Sequence, residues 1–277
     1  MKRAKQVARI GLLLLIFAFG CRFFTPDAPL AAPSPSPDTQ AAQQSPTPPA
    51  DTGWQTLHPG MEQRVIRLFA DDQTQREQIT ILRIDPAQYE FWVAYRPGEP
   101  QLLADWQAAT GAQLVVNGGF FTEAYLATGL TIVDGVPTGA SYGDFAGMFA
   151  VTETGPEVRW LGERPYNPNE YLPFALQSFP MLVKPGGVPG YTTEDGDRAR
   201  RTVVGQDDNG RILFLIAPWG SFTLYGLSQW LVASDLGLQT ALNLDGGTSS
   251  GLLLAEPALH IPAFVPLPTV ITATPKS

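Results

Sequence analysis

Apolar residues fall in short blocks, alternating or β-branched, that Gly, Pro and Asp turns interrupt along most of the chain. Residues 65–69, 79–84 and 89–95 predict strands of an antiparallel meander, with Asp85-Pro86 turning the chain between the last two. Residues 100–110 read differently. Leu102 and Leu103 stand four and three positions before Trp106, Pro100 opens the segment and Gly111 closes it, which predicts a short amphipathic helix. Gly111 then leads into Leu114-Val115-Val116, a buried strand that stops at Asn117-Gly118-Gly119. Strand patterns return at 130–133, 148–151, 181–183, 202–204 and 212–216. A second helix is predicted over 223–236, with Leu224, Leu227 and Leu231 on one face and Gly237 as its stop. Few helices among many strands, with no internal repeat, predict an α+β fold of mixed, largely antiparallel strands in a single catalytic-type domain.

The N-terminus carries a different pattern. Lys2, Arg3, Lys5 and Arg9 flank an apolar stretch at 10–19 that is too short to span a bilayer. It meets Ala18-Phe19-Gly20-Cys21, which resembles the bacterial lipoprotein signal, where a small residue precedes a Cys whose thiol receives a diacylglycerol before cleavage. An ordinary secretory signal with an incidental Cys21 is the alternative. Both export the chain; the first places it in the bacterial cell envelope, membrane-anchored through lipidated Cys21. Residues 22–53 hold eight prolines and few large apolar residues, the composition of a tether that does not fold. Extended, it reaches on the order of 100 Å at about 3.1 Å per residue. The organisation expected is thus a signal peptide at 1–20, lipidated Cys and tether at 21–53, and a folded domain at 54–277.

Composition narrows the chemistry. With 44% apolar residues in 277, the chain can build a sizeable core, and its 27 Gly and 26 Pro follow no collagen period. Cys21 is the only cysteine, so no internal disulfide or Cys-based zinc cluster is available. His58 and His260 are the only histidines and neither sits near a Ser or acidic motif, which weighs against a Ser-His-Asp hydrolase or a His-rich metal site. Proton transfer in an enzyme of this sequence falls to Asp, Glu, Tyr or water. Without residues 1–20 the formal charge changes from −8 to −12, a surface that repels nucleic acid. No nucleic-acid partner and no cofactor are expected.

Two apolar strands end in Asn or Asp followed by Gly-Gly: Asn117-Gly118-Gly119 and Asn243-Leu244-Asp245-Gly246-Gly247. Alternation sends Asn243 and Asp245 to one face, Leu242 and Leu244 to the other. Tight turns alone account for either motif. The hydroxyls and N–H groups of Thr248-Ser249-Ser250 add the means to surround an anion. Arg198, Arg200 and Arg201 supply cations. A solvated loop paired with Glu194, Asp195 and Asp197 is the alternative for all three and leaves Arg198 and Arg200 open, while Arg201 abuts a strand whose packing can fix its fork for phosphate.

In order, Asn117-Gly118-Gly119-Phe120-Phe121, Gln177-Ser178 with Pro180 and Leu182-Val183, Arg201-Thr202 with Gly205, and Asn243-Leu244-Asp245-Gly246-Gly247 with Ser249-Ser250 resemble the bacterial phosphodiester glycosidase family, relatives of the uncovering enzyme. Leu82-Arg83-Ile84-Asp85-Pro86, Leu103-Ala104-Asp105-Trp106 and the 265–271 segment extend the resemblance over nearly the whole folded part. Phe179 and Thr248 each stand where that family commonly has Gly. The resemblance implies hydrolysis of a sugar joined through its anomeric carbon to a phosphodiester, giving free sugar and phosphomonoester. On that basis Asp245 and Arg201 are the expected catalytic groups; Asn117, Gly118, Gly119, Gln177, Ser178, Asn243, Gly246, Gly247, Thr248 and Ser249 are expected to bind a glycosyl phosphodiester or glycopolymer. Phosphate leaves more readily than an alcohol, so charge stabilisation outweighs general-acid help, and a carboxylate must activate water or attack the anomeric centre. Glu123 and Asp134 are candidate second carboxylates. A non-catalytic envelope lipoprotein that binds glycopolymer is the rival reading, and a solute-capturing lipoprotein would need two α/β lobes that these elements do not supply.

Overall fold

The computed structural model describes residues 49–276, so the signal segment, Cys21 and the tether through residue 48 lie outside the described residues. Three sheets, antiparallel throughout, carry the fold. The largest runs Gln55–His58, Met61–Phe69, Gln75–Ile84, Ile212–Phe222, Ala199–Asp207, Leu238–Asn243, Met181–Lys184, Val188–Pro189. The second runs Val136–Thr138, Thr131–Val133, Phe174–Ser178, Gly147–Thr152, Gly155–Trp160, and the third Leu259–Ile261, Leu252–Leu254, Leu114–Asn117, Thr269–Pro275, Tyr89–Tyr95. Only two α-helices join them among the described residues, in keeping with the expected α+β class.

Alternation along the strands builds the layers. One core cluster joins all three sheets, with Leu82, Val204, Phe214 and Leu242 from the first, Phe149 and Leu176 from the second, and Phe91, Val116 and Ile271 from the third. The neighbours of those residues in the first sheet, Ile81, Val203, Leu213, Leu215 and Ala241, form a separate cluster on the other face with Leu227 and Leu231 of the helix Leu224–Ala233. That helix begins where Thr223 caps it, its hydroxyl accepting from Gly226 N–H. The other helix, Leu103–Thr110, covers the third sheet, burying Leu103 and Trp106 against Val115 and Val270. Trp106 Nε1 donates to Leu267 O at 2.9 Å, satisfying the one polar group this large side chain buries.

Several sequence expectations need correction. The meander breaks after its second strand: Met61–Phe69 pairs with Gln75–Ile84, but Tyr89–Tyr95 pairs with Thr269–Pro275 in another sheet, because Asp85-Pro86 carries the chain across rather than back. The first helix starts at Leu103, and Leu102 stays 54% exposed as its N-cap. The second ends at Ala233; Gly237, at φ 68°, turns the chain into Leu238–Asn243 instead of stopping the helix. The border at residue 54 also cuts too late. Arg67 N–H donates to Ala50 O and Arg64 pairs with Asp51 at 2.6 Å, so residues 49–53 pack on the first sheet. Among the described residues no helix is long and apolar enough to cross a membrane.

Candidate active site

Four distant chain segments meet at one end of the first sheet. The register there pairs Val203 with Asn243 and Val204 with Leu242, and Leu244 N–H continues it by donating to Thr202 O at 2.9 Å. Beyond it Asp245 N–H turns to Gly118 O, and Gly246 comes close against Arg200 O. On the other flank, Asn243 N–H donates to Pro180 O at 3.0 Å and its Nδ2 to Phe179 O at 2.9 Å. The order across the sheet end is therefore Phe222, Arg201, Asp245 with Asn243, then Phe179.

Asn117 ties the third sheet to this end. Its Nδ2 donates to Asp245 O at 2.8 Å and Gly118 O at 3.3 Å, while its Oδ1 accepts from Thr202 Oγ1 at 2.8 Å and Gly251 N–H at 3.0 Å. With no exposed surface and both ends of its amide occupied, Asn117 holds the site together, which is a correction to the expectation that it grips substrate. Asn117→Ala would strand three buried groups at once, so the variant should be less stable by about 3 kcal/mol or more, read as a fall in the thermal unfolding midpoint. The glycines here serve close approach. A Cβ on Gly118 would lie 2.9 Å from Thr269 O, and one on Gly246 would lie 2.8 Å from Arg200 O. Gly119 is bounded in the same way by Gln177 O at 2.8 Å.

Asp245 emerges from this clamp with its backbone fixed, N–H to Gly118 O and carbonyl to Asn117. Burial pushes its carboxyl up from 3.8 to about 6, against the opposing pull of Ser249 and of Gly246 N–H at 2.8 Å. The 3₁₀ turn Gly247–Ser249 follows, with Gly247 at φ 57°, Thr248 exposed and Ser249 buried.

Arg201 is 7% exposed and forms no ion pair among the described residues. Nε donates to Phe222 O at 3.2 Å and Nη2 to Asp197 O at 2.7 Å, while Nη1 lies on the Gly246 side, 3.9 Å from where a Cβ there would stand. Desolvation lowers its pKa, partly opposed by Asp197 and Asp195. Arg200, on the opposite face, binds Ser250 O and Pro262 O and lies over Phe264 at 4.1 Å, so it braces the turn. Arg198 reaches Ser221 O.

A residue absent from the sequence expectations supports Arg201. Glu77 is fully buried and forms no ion pair among the described residues, and its carboxylate accepts from Trp219 N–H at 3.1 Å and Ser221 N–H at 3.2 Å. These bonds hold the irregular stretch before Phe222, whose carbonyl receives Arg201, opposite the register shift between Ala199 and Arg201.

Gln177 is also occupied internally, accepting from Tyr142 N–H at 2.7 Å and donating to Ser141 Oγ at 2.9 Å. Ser178 Oγ and Asn243 Oδ1 are buried without a protein partner. Glu123 is exposed on the turn after Phe121, and Asp134, with φ 51°, makes the hairpin turn between Thr131–Val133 and Val136–Thr138; neither contributes to the charge environment of Asp245. Among the described residues no group of three His, Cys, Asp or Glu is placed to hold a metal ion.

The fold has solved counterparts. A zebrafish N-acetylglucosamine-1-phosphodiester alpha-N-acetylglucosaminidase catalytic domain, auto-inhibited by its pro-peptide, matches 86% of this chain and 87% of that one at TM-score 0.61 and 19% identity. A hypothetical protein from Synechocystis matches 79% of this chain and 62% of that one at TM-score 0.56 and 14% identity. A putative exported protein from Burkholderia pseudomallei gives TM-score 0.55 at 14% identity over 73% of this chain and 75% of that one. In sequence, the uncharacterized protein YigE of Escherichia coli K12 is 28% identical over 158 residues, 53% of this chain, and the chain spans 61% of that relative's length. Fold and sequence together define a glycosidase-type domain. The phosphodiester glycosidase family model matches residues 110–272, and the chain belongs to that family.

Proposed function

We propose that the chain is a hydrolase that cleaves a sugar-1-phosphodiester to free sugar and phosphomonoester. The observation that carries this reading is that Arg201 Nη1 lies on the side of Gly246, which is beside Asp245 in the chain and within the matched segment. A guanidinium nitrogen at the turn that follows the carboxylate suits a phosphodiester held between the two. Asp245, once ionised, either attacks the anomeric carbon, giving a glycosyl ester that water then hydrolyses, or takes a proton from a water that attacks that carbon; in both, the bond from the carbon to phosphate oxygen breaks as Arg201 Nη1 and the turn after Gly246 take up the charge gained by the leaving oxygen. Thr248 and Ser249 add hydroxyls at the same turn. Export to the bacterial cell envelope and anchorage through lipidated Cys21 complete the proposal.

The reading is tested by incubating the protein with a panel of sugar-1-phosphodiesters, nucleotide sugars included, and detecting free sugar and phosphomonoester. Release of both supports it. Tight binding of glycopolymer with no product at any pH from 5 to 8 would favour the binding-lipoprotein reading. Cys21→Ser should move the protein from the membrane to the soluble fraction; a wild type that is already soluble, with an unmodified Cys21, defeats the anchor.

A further inference from the structure

Four aromatic rings stand on the flank of Asp245 away from Arg201. Phe179 is their centre, stacked on Phe120 with centroids 4.6 Å apart and planes 29° apart. Tyr142 meets it edge-on at 5.3 Å and Phe145 at 5.5 Å. Such packing ordinarily fills a core, yet Phe145 is 55% exposed and the other three are half-buried.

The cluster is tied down at two points. Asn243 Nδ2 holds the Phe179 carbonyl, and Gln177 holds Tyr142 N–H and Ser141 Oγ, so the loop bearing Tyr142 and Phe145 is fastened to the strand that leads into Phe179. Beside it, Asn243 Oδ1 and Ser178 Oγ are among the buried polar atoms that find no hydrogen-bond partner among the described residues. Rigid, partly exposed rings make a surface suited to a ligand with an apolar face.

The order across the sheet says which part of a ligand comes here. Arg201, Asp245 and Phe179 lie in turn across neighbouring segments, which are spaced about 4.8 Å apart in a sheet. With phosphate at Arg201 and the anomeric carbon at Asp245, the rest of the sugar ring extends towards Phe179, while the other phosphate ester extends away past Arg201. A pyranose with equatorial hydroxyls offers faces made of axial C–H bonds, which suit an aromatic surface through dispersion and weak C–H contacts.

We infer that the Phe179-centred cluster is the platform for the pyranose ring and selects sugars with equatorial hydroxyls over those with an axial hydroxyl on the stacked face. The inference rests on the phosphodiester reading above. Phe179→Leu keeps apolar volume but removes the ring; Phe145→Ala removes an exposed ring and spares the interior. Both should be assayed on sugar-1-phosphodiesters with all-equatorial and with axial-hydroxyl rings, each with a small and an aromatic aglycone. In parallel, binding of the matching methyl glycosides should be followed by calorimetry, which needs no turnover. Phe179→Leu is expected to lower kcat/KM and methyl glycoside affinity together by about tenfold or more, Phe145→Ala by less, whatever the aglycone, and the preference for equatorial rings should shrink. Losses confined to aromatic aglycones would overturn the inference by assigning the rings to the leaving group. Unchanged methyl glycoside affinity and sugar preference in a folded Phe179→Leu protein would overturn it as well. Absence of turnover on every phosphodiester by the wild type would instead sink the proposed reaction, and the calorimetric comparison would still decide the platform.

Discussion

Asp245→Asn is expected to lower kcat on a sugar phosphodiester by about a thousandfold or more while leaving substrate affinity within about tenfold, and to raise the thermal unfolding midpoint at pH 7. The two effects share one cause. Burial holds the Asp245 carboxyl at about 6 in the folded chain, against 3.8 for an ordinary aspartate. The folded state therefore binds this proton more tightly than the unfolded state does. Its contribution to stability is full below about pH 4 and is lost as pH rises through about 6, leaving an ionised carboxylate that costs on the order of 2–3 kcal/mol at pH 7. Asparagine keeps the shape without that cost. The midpoints of wild type and variant should diverge between pH 4 and 7, and kcat/KM of the wild type should climb over the same span with an apparent pKa near 6 as the reacting carboxylate forms. Turnover close to normal in the variant would move the chemistry to another carboxylate, and equal losses of affinity and kcat would reduce Asp245 to a positional part.

The second large effect belongs to Arg201. Arg201→Ala should reduce kcat/KM on phosphodiesters by about a hundredfold or more, and Arg201→Lys by less, with both variants far closer to wild type on aryl glycosides. Two of its nitrogens are already committed, to Phe222 O and Asp197 O, which aims the third at the Gly246 side. Lysine keeps the charge but cannot hold two carbonyls and a phosphate from one planar fork. An aryl glycoside offers no phosphate, so little is lost there. Equal losses on both substrate types would mean that Arg201 shapes the site without gripping phosphate, and no loss in either variant would place the phosphate elsewhere.

Much of the fold was legible where one periodicity ran long enough to read. Residues 79–84 and 212–216 alternate between two separate cores, and Ile81, Leu82, Leu213 and Phe214 sort themselves accordingly. Leu252–Leu254 and Leu259–Ile261 were missed because three residues carry no period, and Phe174–Ser178 because its polar end faces the site. The Asn/Asp-Gly-Gly pattern located the convergence of strands, but it could not separate Asn117, enclosed by the protein, from Asp245. That difference arises from Thr202 and Gly251, 85 and 134 residues away. Glu77 was hidden for the same reason: a carboxylate among polar residues at 75–78 reads as surface until the irregular stretch at Trp219 and Ser221 is seen to close over it. The aromatic platform had one cue in sequence, Phe179 in place of a common Gly, and its other rings lie in segments without a period.

The strand Thr269–Pro275 sits between Leu114–Asn117 and Tyr89–Tyr95, although it follows every site segment in the chain. It pairs Val270 with Asn117 and so anchors the clamp from which Asp245 is hung. A ribosome delivers that strand after all the residues it supports. Until it emerges, Asn117 lacks one neighbour in its sheet, and Asp245 is without that support for its backbone. On the proposed reaction, activity should therefore switch on in one step when this strand inserts, rather than grow as the domain lengthens.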